Sequence, residues 1–433
     1  DFDHPCILTS TSALQLTKIP ESLLIVGAGV IGCEFASLFA ELGTQITMVE
    51  MMPQMLPTED KRLAKQFQGV YRKKGIQILL NTKVETISEY AADHVVAKLS
   101  DGSEVRAEKV LVSVGRKPNS AGLGLEAVGV ETDGRGYITV DEYLETTAPG
   151  VYAIGDVNGG VMLAHVASHE ALAAADNCLA TRPEDRRQRD LRSTPSCTYS
   201  HPEVASVGLS EDKAAEQGYQ PVTGTYRFPA LGKAIAMGED VGYVQLVADK
   251  ETDVLLGASM MGPHVTDVIH EIAIAVQNGL TVAQLGNTIH AHPTIAEAVF
   301  ASVAAAGARE SDVRTRSTPC SPIASIALRK MFSNTCRSWP RSMRNGGMSG
   351  ANWRSMRIPG RPHRLDATWS ASSSTGSIRA GAAASATGRT NSRLEVIVRF
   401  SRFTSATILS RRSLPPASAA SRRLSSEQDT SIA

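Results

Sequence analysis

The sequence predicts an α/β fold, and three observations in its N-terminal part support this prediction. The apolar run Ser22–Val26 is typical of a buried parallel strand, and the turn Gly27-Ala28-Gly29-Val30-Ile31-Gly32 follows it directly. A helical pattern then continues to Leu42, and a second run, Gln45–Glu50, ends in a carboxylate. Strand, glycine turn, helix and strand in this order form a βαβ unit, the repeating element of a parallel sheet.

Each glycine of this turn has a separate task in a dinucleotide site. Gly27 allows the tight turn, Gly29 lets the backbone approach a pyrophosphate, and Gly32 lets the helix pack closely on the sheet. The N–H groups at the start of the helix then face the phosphates. Glu50 has the spacing of the acidic residue that accepts hydrogen bonds from ribose hydroxyls and repels a 2′-phosphate. We therefore predict a Rossmann-type domain that binds NAD rather than NADP; the alternative is a strand-to-helix turn of another α/β protein.

The stretches after Glu50 are expected to complete this domain. Thr58–Lys74 is predicted to be a helix capped by Thr58, and Lys109–Val114 has the composition of a buried strand. Between them, alternating stretches predict a β-meander with a hairpin turn at Asp101-Gly102. The predicted strands are Ile76–Leu80, Val84–Tyr90, His94–Leu99 and Glu104–Arg106.

A second unit is expected to begin near Tyr137. Gly150–Ile154 is predicted to be a strand that runs into the turn Gly155-Asp156. A helix is then expected from Met162-Leu163-Ala164-His165 to about residue 180. A strand that ends in a Gly-Asp turn can hold a carboxylate against a ribityl or ribose chain, but this dipeptide alone is also a common turn.

From Thr194 onward the pattern is α+β. Two helices are predicted, over Asp267–Asn278 and Thr294–Ala306, among several short strands. The helix from Asp267 is apolar on most sides, which is typical of a subunit interface. The predicted strands are Cys197–Tyr199, Val204–Val207, Val222–Phe228, Gly242–Val247 and Val254–Met261.

The strongest catalytic candidate is the run from His290 to Glu297, which reads His-Ala-His-Pro-Thr-Ile-Ala-Glu. A purely local explanation exists, because Thr294 and Glu297 have the spacing of a capping box. A chemical explanation adds that Glu297 folds back on His292, fixes its tautomer and raises its basicity, so that His292 acts as a general base. The alternatives are a buried structural histidine and a metal site, and the second lacks further ligands nearby.

Charge divides the chain into two parts. Residues 1–312 hold 24 Lys and Arg against 40 Asp and Glu, and residues 313–433 hold 20 against 4, so the zero net charge conceals −16 and +16. The second part is rich in Arg, Ser, Ala and Gly without a lasting period, which predicts disorder. We interpret it as a wrong reading frame of GC-rich DNA; a nucleic acid-binding tail, or a segment that folds back on the acidic body, are the alternatives.

Cysteine usage and hydropathy exclude several classes of protein. The six cysteines have neither metal-ligand spacing nor the framework of a small secreted domain, so we expect a cytoplasmic protein without a metal site. No apolar run approaches the roughly 20 residues that a membrane span needs, and no signal pattern is present at the start. Membrane insertion and export are therefore not expected.

Five motifs, in order and over about residues 7–306, resemble the dihydrolipoyl dehydrogenases, a branch of the flavin disulfide reductases. The motifs are Gly27-Ala-Gly-Val-Ile-Gly-Cys33-Glu34, Ser113-Val-Gly-Arg116, Ala153-Ile-Gly-Asp156, Met162-Leu-Ala-His165 and His290-Ala-His-Pro-Thr294 with Glu297. Glu50 argues against the NADP-dependent glutathione reductases. The resemblance implies a homodimer. Residues 1–22 would be a remnant of the FAD domain, residues 23–136 the NAD domain, and residues 137–190 the C-terminal part of the FAD domain and the central segment. Residues 191–310 would form the dimerisation domain, and residues 311–433 would be an unrelated tail.

The resemblance also implies site residues and partners. NAD would contact Gly27, Ala28, Gly29, Val30, Ile31, Gly32, Cys33, Glu34, Glu50, Val84 and Gly115, and FAD would contact Asp156, Met162, Leu163, Ala164 and His165. His292, backed by Glu297, would accept the proton of the dihydrolipoyl thiol and reach into the partner subunit's active site. The partners would be a second copy of the chain and the lipoyl domain of a 2-oxo acid dehydrogenase or glycine-cleavage complex.

One departure from the family pattern affects the expected activity. The family carries a redox-active Cys-x-x-x-x-Cys pair in an N-terminal segment, and no two cysteines of this sequence lie five positions apart. We therefore expect a family member that is N-terminally truncated, holds part of the FAD domain and is inactive alone. The alternatives are a non-catalytic half that binds NAD, dimerises and pairs with a separate FAD-binding polypeptide, or another flavin disulfide reductase.

Overall fold

The computed structural model describes residues 4–306 and the backbone strand Thr407–Ser410. These residues form two compact units: residues 4–115 with 192–306, and residues 116–191 with that strand. Parallel and antiparallel sheets combine with helices, which confirms the predicted α/β class. The predicted disorder of the tail 311–433 lies outside the described residues, apart from the same strand. None of the helices in the described residues is both long and apolar enough to span a bilayer.

The boundary predicted after residue 136 differs from the division in the structure. Residues 116–136 belong to the second unit, because hydrogen bonds tie them to the residues that follow. The Tyr137 hydroxyl donates to the Arg116 carbonyl at 3.3 Å, and the Ser120 hydroxyl donates to the Gly136 carbonyl at 2.6 Å. The assignment of the predicted domains to individual cofactors stays a prediction.

The first unit begins with a βαβ fold and an inserted meander. Five strands form a parallel sheet in the order β1-β8-β2-β3-β4, and β5, β6 and β7 form an antiparallel sheet. The strand β1, which was expected to belong to an FAD-domain remnant, pairs with β8 at the edge of the parallel sheet. The elements are β1 (Ile7–Leu8), α1 (Ser10–Ala13), β2 (Ser22–Val26), α2 (Val30–Glu41), β3 (Gln45–Val49), α3 (Lys61–Lys73), β4 (Gln77–Leu79), β5 (Val84–Tyr90), β6 (Val95–Leu99), β7 (Glu104–Ala107) and β8 (Lys109–Val112).

Helix α3 shows how the sequence positions these elements. Leu63, Phe67 and Tyr71 follow one another at helical spacing, and each is fully buried against the sheet. The predicted cap at Thr58 is wrong. The helix is capped by Asp60, whose carboxylate accepts the N–H groups of residues 62 and 63 at 2.9 and 3.0 Å. A charged acceptor makes the stronger hydrogen bond and also complements the helix dipole.

The second unit is built on the strand β9 (Val151–Ile154) and the helix α4 (Ala164–Leu179). A short 3₁₀ turn, Gly155–Asn158, follows β9 immediately. The strand Thr407–Ser410 pairs antiparallel with β9. The buried side of α4 packs on the strand, and its apolar residues form one small core with Leu144.

The remaining part of the first unit is an antiparallel sheet in the order β10-β11-β14-β13-β12. Helices α7 and α9 cover one face, where Phe228, Ile269 and Val299 are fully buried. The opposite face contributes Tyr243 and Met261 to the core that contains α2 and α3. The elements are β10 (Ser196–Thr198), β11 (Glu203–Gly208), α5 (Glu211–Glu216), β12 (Pro221–Arg227), α6 (Gly232–Met237), β13 (Tyr243–Asp249), β14 (Leu255–Gly262), α7 (Val265–Gln277), α8 (Val282–Gly286) and α9 (Glu297–Ala305).

Candidate functional site

The three glycines between β2 and α2 have three different surroundings. Gly27 has a φ of +101°, and a Cβ there would stand 2.6 Å from the Ser113 carbonyl oxygen. A Cβ on Gly32 would stand 2.0 Å from the Gly27 carbonyl oxygen, so helix and turn pack too closely for any side chain. A Cβ on Gly29 would meet nothing within 4 Å. The first and last glycines are therefore needed by the fold, whereas Gly29 borders open space that suits a phosphate group.

The N-terminus of α2 is open to an anion. Its N-cap is Gly29, which has no side chain to accept the N–H groups of the first turn. Val30 and Ile31 are half-buried in that turn. The Cys33 side chain is fully buried, with its sulfur 3.4 Å from the Ala28 carbonyl oxygen, and burial raises its pKa well above the ordinary value. Cys33 thus belongs to the core, since its N–H donates to the Gly29 carbonyl at 2.9 Å and its carbonyl accepts the Tyr71 hydroxyl at 2.8 Å. Its predicted contact with NAD stays a prediction.

Glu50 is held against the glycine turn by two backbone hydrogen bonds. One carboxylate oxygen accepts the Ala28 N–H at 2.7 Å and the other accepts the Met52 N–H at 2.8 Å. The residue is 7% exposed, so its charge is fixed beside the turn. Each oxygen keeps a second lone pair that can accept a ligand hydroxyl. The sequence predicted the position of Glu50 but not these two bonds.

The other residues predicted to bind NAD lie around this turn. Ser113, at the end of β8, donates its hydroxyl to the Val26 and Gly27 carbonyls at 3.0 and 3.1 Å, and the exposed Gly115 follows with a φ of +135°. The Thr82 N–H donates to the Glu50 carbonyl at 3.0 Å, two residues before the half-buried Val84. Both segments are therefore tied to the candidate site.

Glu34 has a structural partner. Its carboxylate accepts the backbone N–H of Tyr199 at 2.9 Å, which joins α2 to the end of β10. Burial raises the pKa of this carboxyl, and the bond from Tyr199 opposes that effect. The predicted contact of Glu34 with NAD is not tested by this bond and stays a prediction.

The residues predicted to bind FAD lie together in the second unit. Asp156 accepts a hydrogen bond from the Arg116 guanidinium at 2.8 Å, and the same nitrogen of Arg116 donates to the Met162 carbonyl at 2.9 Å. Leu163 is the N-cap of α4 and provides no side-chain acceptor, so the first turn can receive an anion. Met162 and Leu163 are half-buried, while Ala164 and His165 are exposed.

Sequence reasoning missed Glu170, which binds the turn that carries Asp156. Its carboxylate is 1% exposed and accepts the Gly155 N–H at 2.7 Å. The helical period gave a signal, because Glu170 falls on the same face of α4 as the buried residues Val166, Ala173 and Ala174. A carboxylate on a buried helix face needs partners, and here it binds the turn that carries Asp156.

His292 and Glu297 form the expected pair in the first unit. Nδ1 of His292 lies 2.8 Å from Oε1 of Glu297, and the imidazole is 45% exposed. An ionised carboxylate only accepts hydrogen bonds, so the neutral ring carries its proton on Nδ1 and presents Nε2 as an acceptor. This is the arrangement of a general base held in one tautomer by a carboxylate.

The predicted helix start at Thr294 is wrong, since α9 begins at Glu297. The Glu297 carboxylate does fold back and accepts the Thr294 N–H at 2.8 Å. The Thr294 hydroxyl, however, donates to the Ala291 carbonyl at 2.7 Å and does not cap the helix. Only half of the predicted capping box therefore forms, because the hydroxyl closes the preceding turn.

His290 differs from His292 in its surroundings. Its Nε2 lies 2.6 Å from the Glu271 carboxylate, its Nδ1 lies 3.0 Å from the Thr288 carbonyl oxygen, and its ring is 7% exposed. Both nitrogens are committed to acceptors of the protein, so His290 has no position for a substrate proton. Of the two histidines in the motif, the structure presents only His292 to a ligand.

The described residues define an α/β protein with a glycine turn before a helix and a second, antiparallel sheet, and comparisons with known proteins give its family. The family model described as pyridine nucleotide-disulphide oxidoreductase matches residues 2–171, and the model of its dimerisation domain matches residues 194–303. The chain therefore belongs to the pyridine nucleotide-disulphide oxidoreductase family. FAD and NAD, the two expected cofactors, are those of the dihydrolipoyl dehydrogenases within this family.

Individual relatives lead to the same family. The dihydrolipoyl dehydrogenase of Bacillus subtilis is 43% identical over 310 residues, which cover 71% of this chain and 65% of that protein. The enzyme of the same name from Chlamydia muridarum is 40% identical, with 68% and 62% covered. The chain thus spans somewhat less than two thirds of the length of these curated relatives.

Solved structures are similar over the same part of the chain. The HOCl-induced flavoprotein disulfide reductase RclA of Escherichia coli, as its Cu(II) complex, has a TM-score of 0.65 at 30% identity, covering 70% of this chain and 68% of that one. LpdA of Mycobacterium tuberculosis has a TM-score of 0.65 at 28% identity, with 70% and 65% covered.

Proposed function

We propose that this chain is the NAD-binding and dimerising portion of a dihydrolipoyl dehydrogenase, with part of its FAD site and with the base of the dithiol reaction. The observation that carries this proposal is the pair formed by His292 and Glu297, because its geometry prepares an exposed imidazole nitrogen to accept a proton. The similarity to proteins named dihydrolipoyl dehydrogenase supports the substrate, a dihydrolipoyl dithiol.

In the proposed reaction, Nε2 of His292 takes the proton of one substrate thiol. The resulting thiolate attacks a disulfide, forms a mixed disulfide and releases the other sulfur as a thiolate. The second substrate thiol then gives its proton to the released thiolate and attacks the substrate sulfur of the mixed disulfide. This closes the lipoyl disulfide and displaces the remaining sulfur of the attacked disulfide as a thiolate. The carboxylate of Glu297 stabilises the imidazolium that forms and keeps the ring oriented throughout.

The nucleotide specificity is proposed to come from Glu50. Its buried carboxylate lies beside the turn that would receive the pyrophosphate, and each oxygen has one lone pair left for a ribose hydroxyl. A 2′-phosphate there would place two negative charges together in a poorly solvated position, which is unfavourable. NAD is therefore the proposed nucleotide.

The flavin site is proposed to consist of Asp156 and the residues Met162, Leu163, Ala164 and His165 at the start of α4. These residues fit a flavin nucleotide, since a carboxylate and an uncapped helix N-terminus stand close together in one unit. A bound FAD would supply the two-electron chemistry that links the reduced cysteine pair to NAD, and Asp156 and the start of α4 would hold it.

The redox disulfide has no counterpart among the cysteines of the described residues. Burial, with Glu203 next in importance, raises the pKa of the Cys197 thiol to about 11, and burial raises that of Cys33 well above its ordinary value. Neither thiol is a good nucleophile at neutral pH. We therefore propose that this polypeptide alone does not oxidise the dithiol and that a cysteine pair must come from another segment or polypeptide.

The proposed partners are a second copy of the chain and a lipoyl domain. The match to the dimerisation-domain model supports the first, and the named relatives support the second. The second candidate function is a non-catalytic half that binds NAD, dimerises and pairs with a separate FAD-binding polypeptide. The absence of a Cys-x-x-x-x-Cys pair from the sequence favours it. A cytoplasmic location and the lack of a nucleic acid partner remain predictions.

A complementation experiment tests the main proposal. The chain is co-expressed with the N-terminal segment of the Bacillus subtilis relative, and NADH formation from dihydrolipoamide is measured for the mixture and for each part. We expect activity only in the mixture and a loss of at least about 100-fold on His292→Gln. NADH formation by the chain alone would contradict the proposed need for a second segment. A mixture that binds NADH but gives no activity would favour the non-catalytic alternative.

A further inference from the structure

Two glutamates bracket the strand β9 in the second unit. The N–H of Gly150, just before the strand, donates to Glu145 at 2.7 Å, and the N–H of Gly155, just after it, donates to Glu170 at 2.7 Å. Each carboxylate also binds an arginine of the segment after α4: Arg186 binds Glu145 at 2.8 Å, and Arg189 binds Glu170 at 3.1 Å. The two ends of one strand are thus held by the same type of contact.

The contact at the C-terminal end is the more deeply buried. Glu170 is 1% exposed, whereas the Glu145 side chain is 22% exposed. Besides the Gly155 N–H and the Arg189 guanidinium, the Glu170 carboxylate accepts the side-chain amide of Asn158 at 3.1 Å. A carboxylate in this position is tolerated because a cation and two neutral donors satisfy it.

These bonds fix both ends of the turn that carries Asp156. Gly155 begins the 3₁₀ turn with a φ of +74°, and Asn158 ends it. One carboxylate therefore holds the first and last residues of the turn, and Asp156 lies between them. Arg116 constrains that side chain from the other direction, through its bond of 2.8 Å to the Asp156 carboxylate.

We propose that Glu170, with Arg189 as its counterion, is a positioning residue that fixes the Gly155–Asn158 turn so that Asp156 can bind the flavin nucleotide. This inference rests on the proposed function of Asp156. An apolar side chain would fill the same place on the buried face of α4 but would leave the Gly155 N–H without an acceptor. Because a carboxylate that binds a ligand must be placed accurately, loosening the turn is expected to weaken flavin binding more than it weakens the fold.

The decisive comparison is between Glu170→Met and the matched variant Glu145→Met, because methionine has a similar size and no acceptor for the glycine N–H. Each replaces a glutamate that binds a glycine N–H and an arginine at one end of β9, but only the first touches the turn with Asp156. FAD is titrated into the purified full chain by flavin fluorescence, and thermal unfolding is measured in parallel. We expect Glu170→Met to raise the Kd for FAD at least about tenfold, which corresponds to roughly 1.4 kcal/mol. Glu145→Met should change the Kd less than about twofold at a similar loss of Tm.

Amide hydrogen exchange separates this inference from the proposed function. In Glu170→Met, the Gly155 amide should exchange at least about tenfold faster while the Gly150 amide is unchanged, and Glu145→Met should show the reverse. If the wild-type chain binds no FAD, the proposed flavin role of Asp156 fails, and the exchange pattern alone decides whether Glu170 fixes the turn. Equal effects of both variants on the Kd, or an unchanged Gly155 amide in Glu170→Met, would overturn the inference. If Glu170→Met does not fold, Arg189→Gln removes only the counterion and is subject to the same criteria.

Discussion

Glu297 binds the imidazole of His292 with one carboxylate oxygen and the backbone N–H of Thr294 with the other, both at 2.8 Å. One side chain therefore orients the ring and fixes the loop that carries it. A glutamate is required for both tasks, because each of its two oxygens is an acceptor. Glutamine, which has the same shape, offers only one acceptor oxygen.

The first prediction concerns the tautomer of His292 in Glu297→Gln. If the amide oxygen keeps its bond from Thr294, the amide N–H₂ group faces Nδ1 and forces the imidazole proton onto Nε2. We expect the ¹⁵N shifts of His292 to change from the Nδ1–H to the Nε2–H pattern. In the complemented mixture, the rate of NADH formation from dihydrolipoamide should fall by about 100-fold or more.

Glu271→Gln is the matched control for this prediction, because it changes the corresponding carboxylate–imidazole contact of His290, which is made through Nε2. Its ¹⁵N spectrum should change at His290 and remain the same at His292. An unchanged His292 tautomer in Glu297→Gln would show that the carboxylate does not set the position of the proton.

The second prediction concerns Gly29→Ala and Gly32→Ala. A methyl group on Gly29 enters open space, so we expect stability within about 0.5 kcal/mol of wild type but NADH binding weakened at least about tenfold. A methyl group on Gly32 would lie 2.0 Å from a carbonyl oxygen, and overpacking of this kind costs roughly 1–3 kcal/mol or more. Thermal unfolding and calorimetric titration with NADH measure the two effects. Equal losses of stability in both variants would contradict the assignment of Gly32 to packing and of Gly29 to nucleotide binding.

The third prediction concerns the nucleotide preference set by Glu50. Glu50→Gln removes the negative charge and leaves one acceptor oxygen for the two N–H groups of residues 28 and 52, so we expect some loss of stability. The ratio of the Kd for NADPH to the Kd for NADH largely cancels that structural effect. We expect this ratio to fall at least about tenfold in Glu50→Gln, measured by isothermal titration. A ratio that does not change would show that the carboxylate does not discriminate against the 2′-phosphate.

The fold near the glycine turn could be predicted because local sequence determines it. The turn from Gly27 to Gly32, the strand before it and Glu50 after it form one continuous βαβ unit, in which spacing along the chain fixes position in space. The pair of His292 and Glu297 was predictable for the same reason, since the two residues lie five positions apart at one helix start. Residues that lie only a few positions apart in the sequence can adopt few positions relative to each other.

Contacts between distant segments were not predictable from the sequence. Arg116 and Asp156 are 40 positions apart, and the bond from Tyr199 to Glu34 spans 165 positions. The cap of α3 was missed for a different reason: Thr58 and Asp60 are both good N-caps, and only the packing of Leu63 and Phe67 decides where the first turn begins. The helix face on which Glu170 lies indicated that its side chain is buried, but its hydrogen-bond partners could be identified only from the folded structure.

A buried carboxyl in the first unit gives the last prediction. Glu59 is 8% exposed; its Oε1 accepts the Ser196 hydroxyl at 3.0 Å, and within the described residues its Oε2 has no hydrogen-bond partner. Burial raises the pKa of this carboxyl, with the serine hydroxyls opposing the shift. The neutral acid is therefore the form that the folded state prefers, whereas the unfolded chain ionises at the ordinary pKa of about 4.3.

The fourth prediction follows from the sign of this shift. Because the folded-state pKa lies above the unfolded one, the contribution of Glu59 to stability is fully present below about pH 4.3 and is lost as the pH rises through the folded-state pKa. Glu59→Gln, which stays neutral, should therefore gain stability relative to wild type as the pH is raised from about 4 to 7, measured by urea unfolding at each pH. The exposed Glu126→Gln serves as the control and should show no such trend. A stability difference between Glu59→Gln and wild type that does not depend on pH would mean that Glu59 ionises alike in both states, for example because water reaches its second oxygen.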